Sequence, residues 1–286
     1  MKILRNPTRG LLFLFTVLFL ASGLFAQPDF FNQRGGSRSP YGGRRNYSRG
    51  QVTATGVNND WEIDKRFEHD AFRFARVRYT SWGYRDKWLT DYPESDLNFP
   101  HRLRELTSIE VHPETVIVDL TDENLGDYPF LYLVEPGQMT LSDEEVTGLR
   151  RYLLNGGFLM VDDFWGEDEW YGFYENIKRV FPDREPEELP LEHDIFHLVY
   201  DLAEKPQIVS IGAWRSGRLT ERPDASEPHY RGLFDDQGRM MAIICHNTDL
   251  GDGWEEEGVD PTYFKDYSER FAYPLGINIV TYALTH

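Results

Sequence analysis

Residues 130–163 constrain the fold more than any other part of the chain. Phe130 to Val134 reads FLYLV, an unbroken apolar run suited to a strand covered on both faces. Ser142 then opens SDEEVTGLRRYLLNGG. Ser142 and Glu145 have the spacing of a capping box, Val146, Leu149, Leu153 and Leu154 recur on one helical face, and Gly156-Gly157 supplies the stop. Phe158 to Val161 is again a strand, ending in Asp162-Asp163. Two buried strands joined through a helix argue for a parallel pair, because parallel strands need a crossover of this kind.

The pattern continues on both sides. Phe72 to Tyr79, FRFARVRY, alternates and predicts a first strand. Ser95 is expected to cap a helix through Leu103 and Leu106, and Thr115 to Leu120 predicts a second strand. Glu167 to Val180 reads as a helix. A long irregular stretch follows from Phe181 to Arg231, with a short strand expected near Ile208 to Ile211. Gly232 to Phe234 and Arg239 to His246 flank Asp-Asp-Gln-Gly and predict a hairpin, and Lys265 to Leu284 predicts a final helix. The expectation is one α/β domain over residues 61–286: a mainly parallel sheet with helices on both faces.

Charge divides the chain into three segments. The formal net charge of -18 is +3 over residues 1–26, +3 over 27–60 and -24 over the rest. Lys2, Arg5 and Arg9 precede the apolar run Leu11 to Leu20, and small residues follow up to Ala26, which is the pattern of a cleaved secretory signal. The apolar stretch to Phe25 falls short of the roughly 20 residues of a membrane span, so no integral span is expected after cleavage. The mature chain is therefore expected to be exported, periplasmic or extracellular. Residues 27–60 are rich in Gly, Ser and Arg without a helical or strand period, and read as a disordered basic linker. The acidity of the domain excludes nonspecific binding to the phosphate backbone of nucleic acid. A lone cysteine, Cys245, excludes a disulfide framework and a Cys-rich metal centre.

Open α/β sheets bind ligands beyond the carboxyl ends of their strands. The first strand leads there to Trp82, Tyr84, Trp88, Asp91 and Tyr92, the third to Glu135, the fourth to Asp162, Asp163 and Trp165, and the hairpin to His246, Asn247 and Asp249. Asp91, Glu135, Asp162, Asp163, Trp165 and His246 are the residues expected to line a ligand site. Asp163 with His246, or with Glu135, could act as an acid/base pair. Asp162, Asp163, His246 and Asp249 offer oxygen and imidazole donors, but no strict ligand spacing marks a metal site. No metal ligand or resident cofactor is therefore assigned, and a divalent cation stands only as a ligand the rim could take. Cys245 sits inside MMAIIC beside His246; strand neighbours point to opposite faces, so it reads as a buried small hydrophobe. His193 and His197 have helical spacing, yet Pro190 argues against a regular helix there. The run Asp249 to Asp260, DLGDGWEEEGVD, lacks the order of a calcium-binding EF-hand and reads as a solvated acidic loop.

The runs TDYPESDLNFPHRL, YPFLYLVEPG, LSDEEVTGLRRYLLNGGFLMVDDFWG, LPLEHDIFH and RMMAIICHNTDLGDGWE closely resemble the bacterial family called domain of unknown function 4159, over about Phe72 to His286. That family looks like a branch of the class I glutamine amidotransferase-like superfamily, near the trehalose-utilisation (ThuA-like) proteins. Gly156-Gly157-Phe158, the HDIFH segment and a strand ending in His246 fall in the ThuA-like order. The resemblance implies a flavodoxin-like sheet and no particular activity. Amidotransferases place a nucleophilic cysteine after the strand preceded by Gly-Gly; here Asp162-Asp163-Phe164 stands in that place, so glutaminase activity is not expected. Members encoded beside MoxR-type ATPases imply a cell-envelope partner.

Three functions follow as expectations. The first is an exported binding protein that takes a small polar ligand, a sugar or a cation, at an acidic aromatic rim. The second is a hydrolase or isomerase using Asp163 and His246, with or without a metal. The third is a non-catalytic interaction module of an envelope complex.

Overall fold

The apolar runs pair with one another in the computed structural model, which describes residues 57, 59–83 and 85–286. All of these fall in one compact unit, Tyr41–His286. The signal segment, nearly all of the basic linker and Tyr84 lie outside the described residues. In chain order the elements begin with β1 (Ala75–Arg78), β2 (Thr80–Ser81), α1 (Glu94–Leu106), β3 (Val116–Asp119), β4 (Phe130–Val134) and β5 (Met139–Thr140). Next come α2 (Asp143–Leu154), β6 (Phe158–Asp162), α3 (Gly166–Val180), β7 (Glu187–Glu188) and α4 (Ile211–Arg215). The hairpin β8 (His229–Phe234) and β9 (Met240–His246) follows, then α5 (Leu250–Glu255) and α6 (Pro261–Tyr263). A π-helical stretch, Phe264–Ala272, runs into α7 (Tyr273–Thr285).

Seven strands form one sheet in the order β3-β1-β4-β6-β9-β8-β7, and β2 pairs with β5 separately. The five strands from β3 to β9 are parallel; β8 is antiparallel to both its neighbours. Each central strand is buried on both faces, which is why the sequence shows continuous apolar runs. Phe130, Tyr132, Phe158, Met160, Ile243 and Cys245 face one core layer with α1, α5 and α7. Leu131, Leu133, Leu159, Val161, Ala242 and Ile244 face the other with α2 and α3. The chain moves outward from β1 to β3 and then returns to the opposite side of β1 with β4. The crevice at the carboxyl ends of β1 and β4 is thus a point where the winding reverses, the usual ligand position in such sheets.

Local chemistry explains the boundaries. The Ser142 hydroxyl accepts from Glu145 N while the Glu145 carboxylate accepts from Ser142 N, and Gly156 takes a positive φ of 101° that a side chain would resist. The hairpin turn closes through Asp235, whose carbonyl accepts from Gly238 N at 3.1 Å.

Three sequence expectations are corrected. Ser95 does not cap α1: the helix starts at Glu94, and the Ser95 hydroxyl is taken up by the Arg76 guanidinium at 2.9 Å. Ile208 does not begin a strand. Its backbone is bonded to the loop after β9 (Thr248 Oγ1 at 3.0 Å, Asp249 N at 3.1 Å), and Ser210 then caps α4. The final helix is not regular α throughout, because its first part is π-helical and packs Ala272 against Gly253. Among the described residues no helix is long and apolar enough to cross a membrane.

Candidate functional site: a buried carboxylate nest

Carboxylates from four separate segments meet at the reversal point. Asp91 comes from the segment between β2 and α1, Glu135 follows β4, Asp162 ends β6 and Asp163 follows it, and Asp249, Asp252 and Glu255 belong to α5 and its cap. Carboxylate oxygens of Asp91, Asp163 and Asp249 all lie within 4.8 Å of one another. Those of Asp91, Asp252 and Glu255 satisfy the same limit. Asp162, Asp163, Asp249 and Asp252 are buried.

The backbone is bent to bring them there. Four non-glycine residues take positive φ among the described residues, and three are acids of this nest: Asp91 at 60°, Glu135 at 47° and Asp163 at 55°. Side chains resist this conformation, and it persists only where surrounding structure holds it. Gly251 completes the approach of α5, since a Cβ there would stand 2.4 Å from Asp91 Oδ2 and 2.7 Å from Tyr132 Oη.

Only part of this negative charge is satisfied within the chain. Asp162 Oδ2 accepts from Leu250 N at 2.9 Å, Gly251 N at 3.1 Å and Tyr132 Oη at 3.1 Å. Asp163 Oδ1 accepts from Trp165 Nε1 at 3.0 Å, and Asp249 Oδ1 accepts from Asp252 N at 2.8 Å. Glu135 pairs with Lys87. Asp162 Oδ1 and Asp91 Oδ2 are buried with no hydrogen-bond partner. Burial, reinforced by neighbouring carboxylates, pushes Asp91, Asp163, Asp249 and Asp252 well above the usual carboxylate range. Burial also raises Asp162 and Glu255 to about 7.

The sequence-predicted residues fall into two groups. Asp91, Glu135, Asp162 and Asp163 come together with Asp249, and Trp165 touches them through Asp163. His246 has other neighbours. Its Nε2 lies 3.1 Å from Gly166 O, its Nδ1 lies 3.3 Å from Arg231, and its ring packs on Phe164, Trp170 and His229. Burial lowers its pKa to about 4, so it is neutral at pH 7. Trp82 is 70% exposed and Tyr92 lies over Arg76. His193 caps a 3-10 turn and His197 bonds Asp201 and Leu191 O; neither joins the nest. Cys245 is fully buried in the core, and burial raises its thiol pKa.

Sequence reasoning missed Asp252, Glu255, Gly251 and Lys87. The run from Asp249 is not a solvated loop: Leu250 and Trp254 are fully buried and Asp252 is 9% exposed. A signal was present in the text. Asp249 and Asp252 have N-cap spacing, and Trp254 gives the short helix an apolar anchor that a solvated loop would lack.

These features define an α/β domain with a buried acidic nest at the switch point of its sheet. The model of the family described as "Domain of unknown function (DUF4159)" matches residues 73–284, and the chain belongs to that family. No curated protein matches the sequence.

Proposed function

We propose that this domain binds a divalent cation in the nest of Asp91, Asp163 and Asp249. The observation that carries the reading is the convergence of three carboxylates within 4.8 Å, one of which, Asp91, has a buried oxygen without a hydrogen-bond partner. Two oxygens on opposite sides of a calcium ion, each at about 2.4 Å, stand about 4.8 Å apart, so one ion can bridge such a set. The donors are all carboxylate oxygens, which suits Ca²⁺, Mg²⁺ or Mn²⁺ better than softer metals. Without a cation, burial and the neighbouring carboxylates disfavour the ionised form of these acids; a dication would supply the missing positive charge directly.

The strand order supports a flavodoxin-like fold within this reading, since the five parallel strands run second, first, third, fourth, fifth along the chain. A place beside the ThuA-like proteins remains a proposal resting on motif order. Export rests likewise on the signal-like residues 1–26. A sugar or an envelope protein could then complete the cation's coordination from the open side. Glutaminase chemistry forms no part of the proposal, because Asp162-Asp163 occupies the nucleophile's place and Cys245 is buried.

The test is a thermal shift of chelator-treated protein with Ca²⁺ and Mn²⁺. Wild type is expected to gain stability with a saturable midpoint, and Asp163→Asn to lose that gain. Equal response of both proteins, or none in wild type, overturns the reading.

A further inference from the structure

We propose that the nest holds two divalent cations, with Asp91 as the carboxylate bridging them. This rests on the cation reading above and deepens it. Asp91 is the residue shared by both sets of converging oxygens: with Asp163 and Asp249 on one side, and with Asp252 and Glu255 on the other. A bridging carboxylate gives one oxygen to each ion, and the Asp91 carboxyl already meets that of Glu255 in a hydrogen-bond contact that a shared cation would replace. Asp91 Oδ2 is buried without a hydrogen-bond partner, and it points at the first turn of α5, where a Gly251 Cβ would come within 2.4 Å. Both sets draw on α5. Asp249 caps it, while Asp252 and Glu255, three residues apart, share one helical face toward Asp91.

Asp162 belongs to neither set and braces the start of α5 from β6. Asp162 is fully buried and its Oδ1 has no partner, while its Oδ2 is anchored to Leu250 N and Gly251 N. Charge balance points the same way. Seven carboxylates meet here: Asp91, Glu135, Asp162, Asp163, Asp249, Asp252 and Glu255. Among the described residues Lys87 pairs with Glu135 of this group. With the nest ionised, one dication would offset two carboxylates and two would offset four. Paired cations bridged by a carboxylate are the arrangement that clamps both oxygens of a displacement at a phosphoryl or acyl centre.

Manganese is the probe. The purified full chain is stripped with chelator and titrated with Mn²⁺, reading bound metal per chain and the electron paramagnetic resonance spectrum. Two Mn²⁺ per chain with a spin-coupled spectrum are expected in wild type. Glu255→Gln is expected to bind one, with the uncoupled six-line spectrum, and Asp91→Asn to lose both ions or hold them without coupling. One Mn²⁺ in wild type, lost in Asp163→Asn and unchanged in Glu255→Gln, overturns the pair and leaves the single-cation reading intact. Two uncoupled ions in wild type overturn the Asp91 bridge. No bound Mn²⁺ in wild type overturns both. The wild-type readings decide the matter even if Asp91→Asn fails to fold.

Discussion

Two sets of buried charges lie close together in this domain, and the chain treats them differently. Arg76 is fully buried on β1, and every donor of its guanidinium is used. Nε donates to both Asp96 oxygens at 2.9 Å, Nη1 to Trp88 O at 3.0 Å and Thr90 O at 2.9 Å, and Nη2 to Ser95 Oγ and Asp96. Its opposite charge, Asp96, is equally buried. In the nest, carboxylates converge on one another, two buried oxygens lack partners, and Lys87 pairs with Glu135 at the margin. Buried charge completed within the chain is part of the framework. Buried charge left incomplete, on a backbone bent to hold it, is the ground for the cation proposed above.

Substitutions can break or sharpen this contrast. The largest expected effect is on the completed side. Arg76→Met strands Asp96 without its partner and should lower stability by about 3–5 kcal/mol in denaturant unfolding, with or without added cation. Smaller loss with cation present would mean that the two sets are coupled. On the incomplete side the sign reverses. Asp163→Asn replaces a buried carboxyl crowded by other carboxylates with a neutral amide of the same shape, so the cation-free protein should melt at the same temperature as wild type or higher. The mutant should, however, forgo the roughly 2.7 kcal/mol that a ligand at a hundredfold its Kd confers. Gly251→Ala tests the packing that brings α5 against Asp91. Overfilling that contact should cost about 1–3 kcal/mol and weaken Ca²⁺ binding in calorimetry.

The smallest effect concerns the other half of the rim. His246 has a folded pKa near 4 against an ordinary 6.5, so its contribution to stability is complete above pH 6.5 and is lost as pH falls toward 4. Wild type should lose about 1 kcal/mol between pH 6.5 and 5.5 through this group. His246→Gln should flatten that part of the acid limb and leave cation affinity unchanged. A shift in affinity would join the His246 cluster to the nest.

Much of this was legible before the structure. FLYLV reads as a strand buried on both faces and Phe158 to Val161 as the next strand, and Ser142 with Glu145 marks the start of α2. Asp91, Glu135, Asp162 and Asp163 were reachable because a parallel sheet gathers whatever follows its strands. What escaped depended on partners distant in sequence. Ser95 looked like a cap because nothing local shows that Arg76, 19 residues earlier, takes its hydroxyl. Ile208 looked like a strand because its backbone partners, Thr248 and Asp249, are about 40 residues away. Asp252 and Glu255 were hidden in an acidic run whose average composition favours solvent; Trp254 and Gly251 override that average by packing the helix inward. His246 stands in the right row of strand ends, yet its side chain faces the α2–α3 layer with Phe164 and Trp170.

The central claim is that the nest is completed by a cation, and anomalous X-ray scattering from a manganese-soaked crystal tests it most directly. The account expects a peak within about 2.0–2.6 Å of carboxylate oxygens from Asp91, Asp163 and Asp249. Strong anomalous density elsewhere on the protein, with this nest holding none, would contradict it.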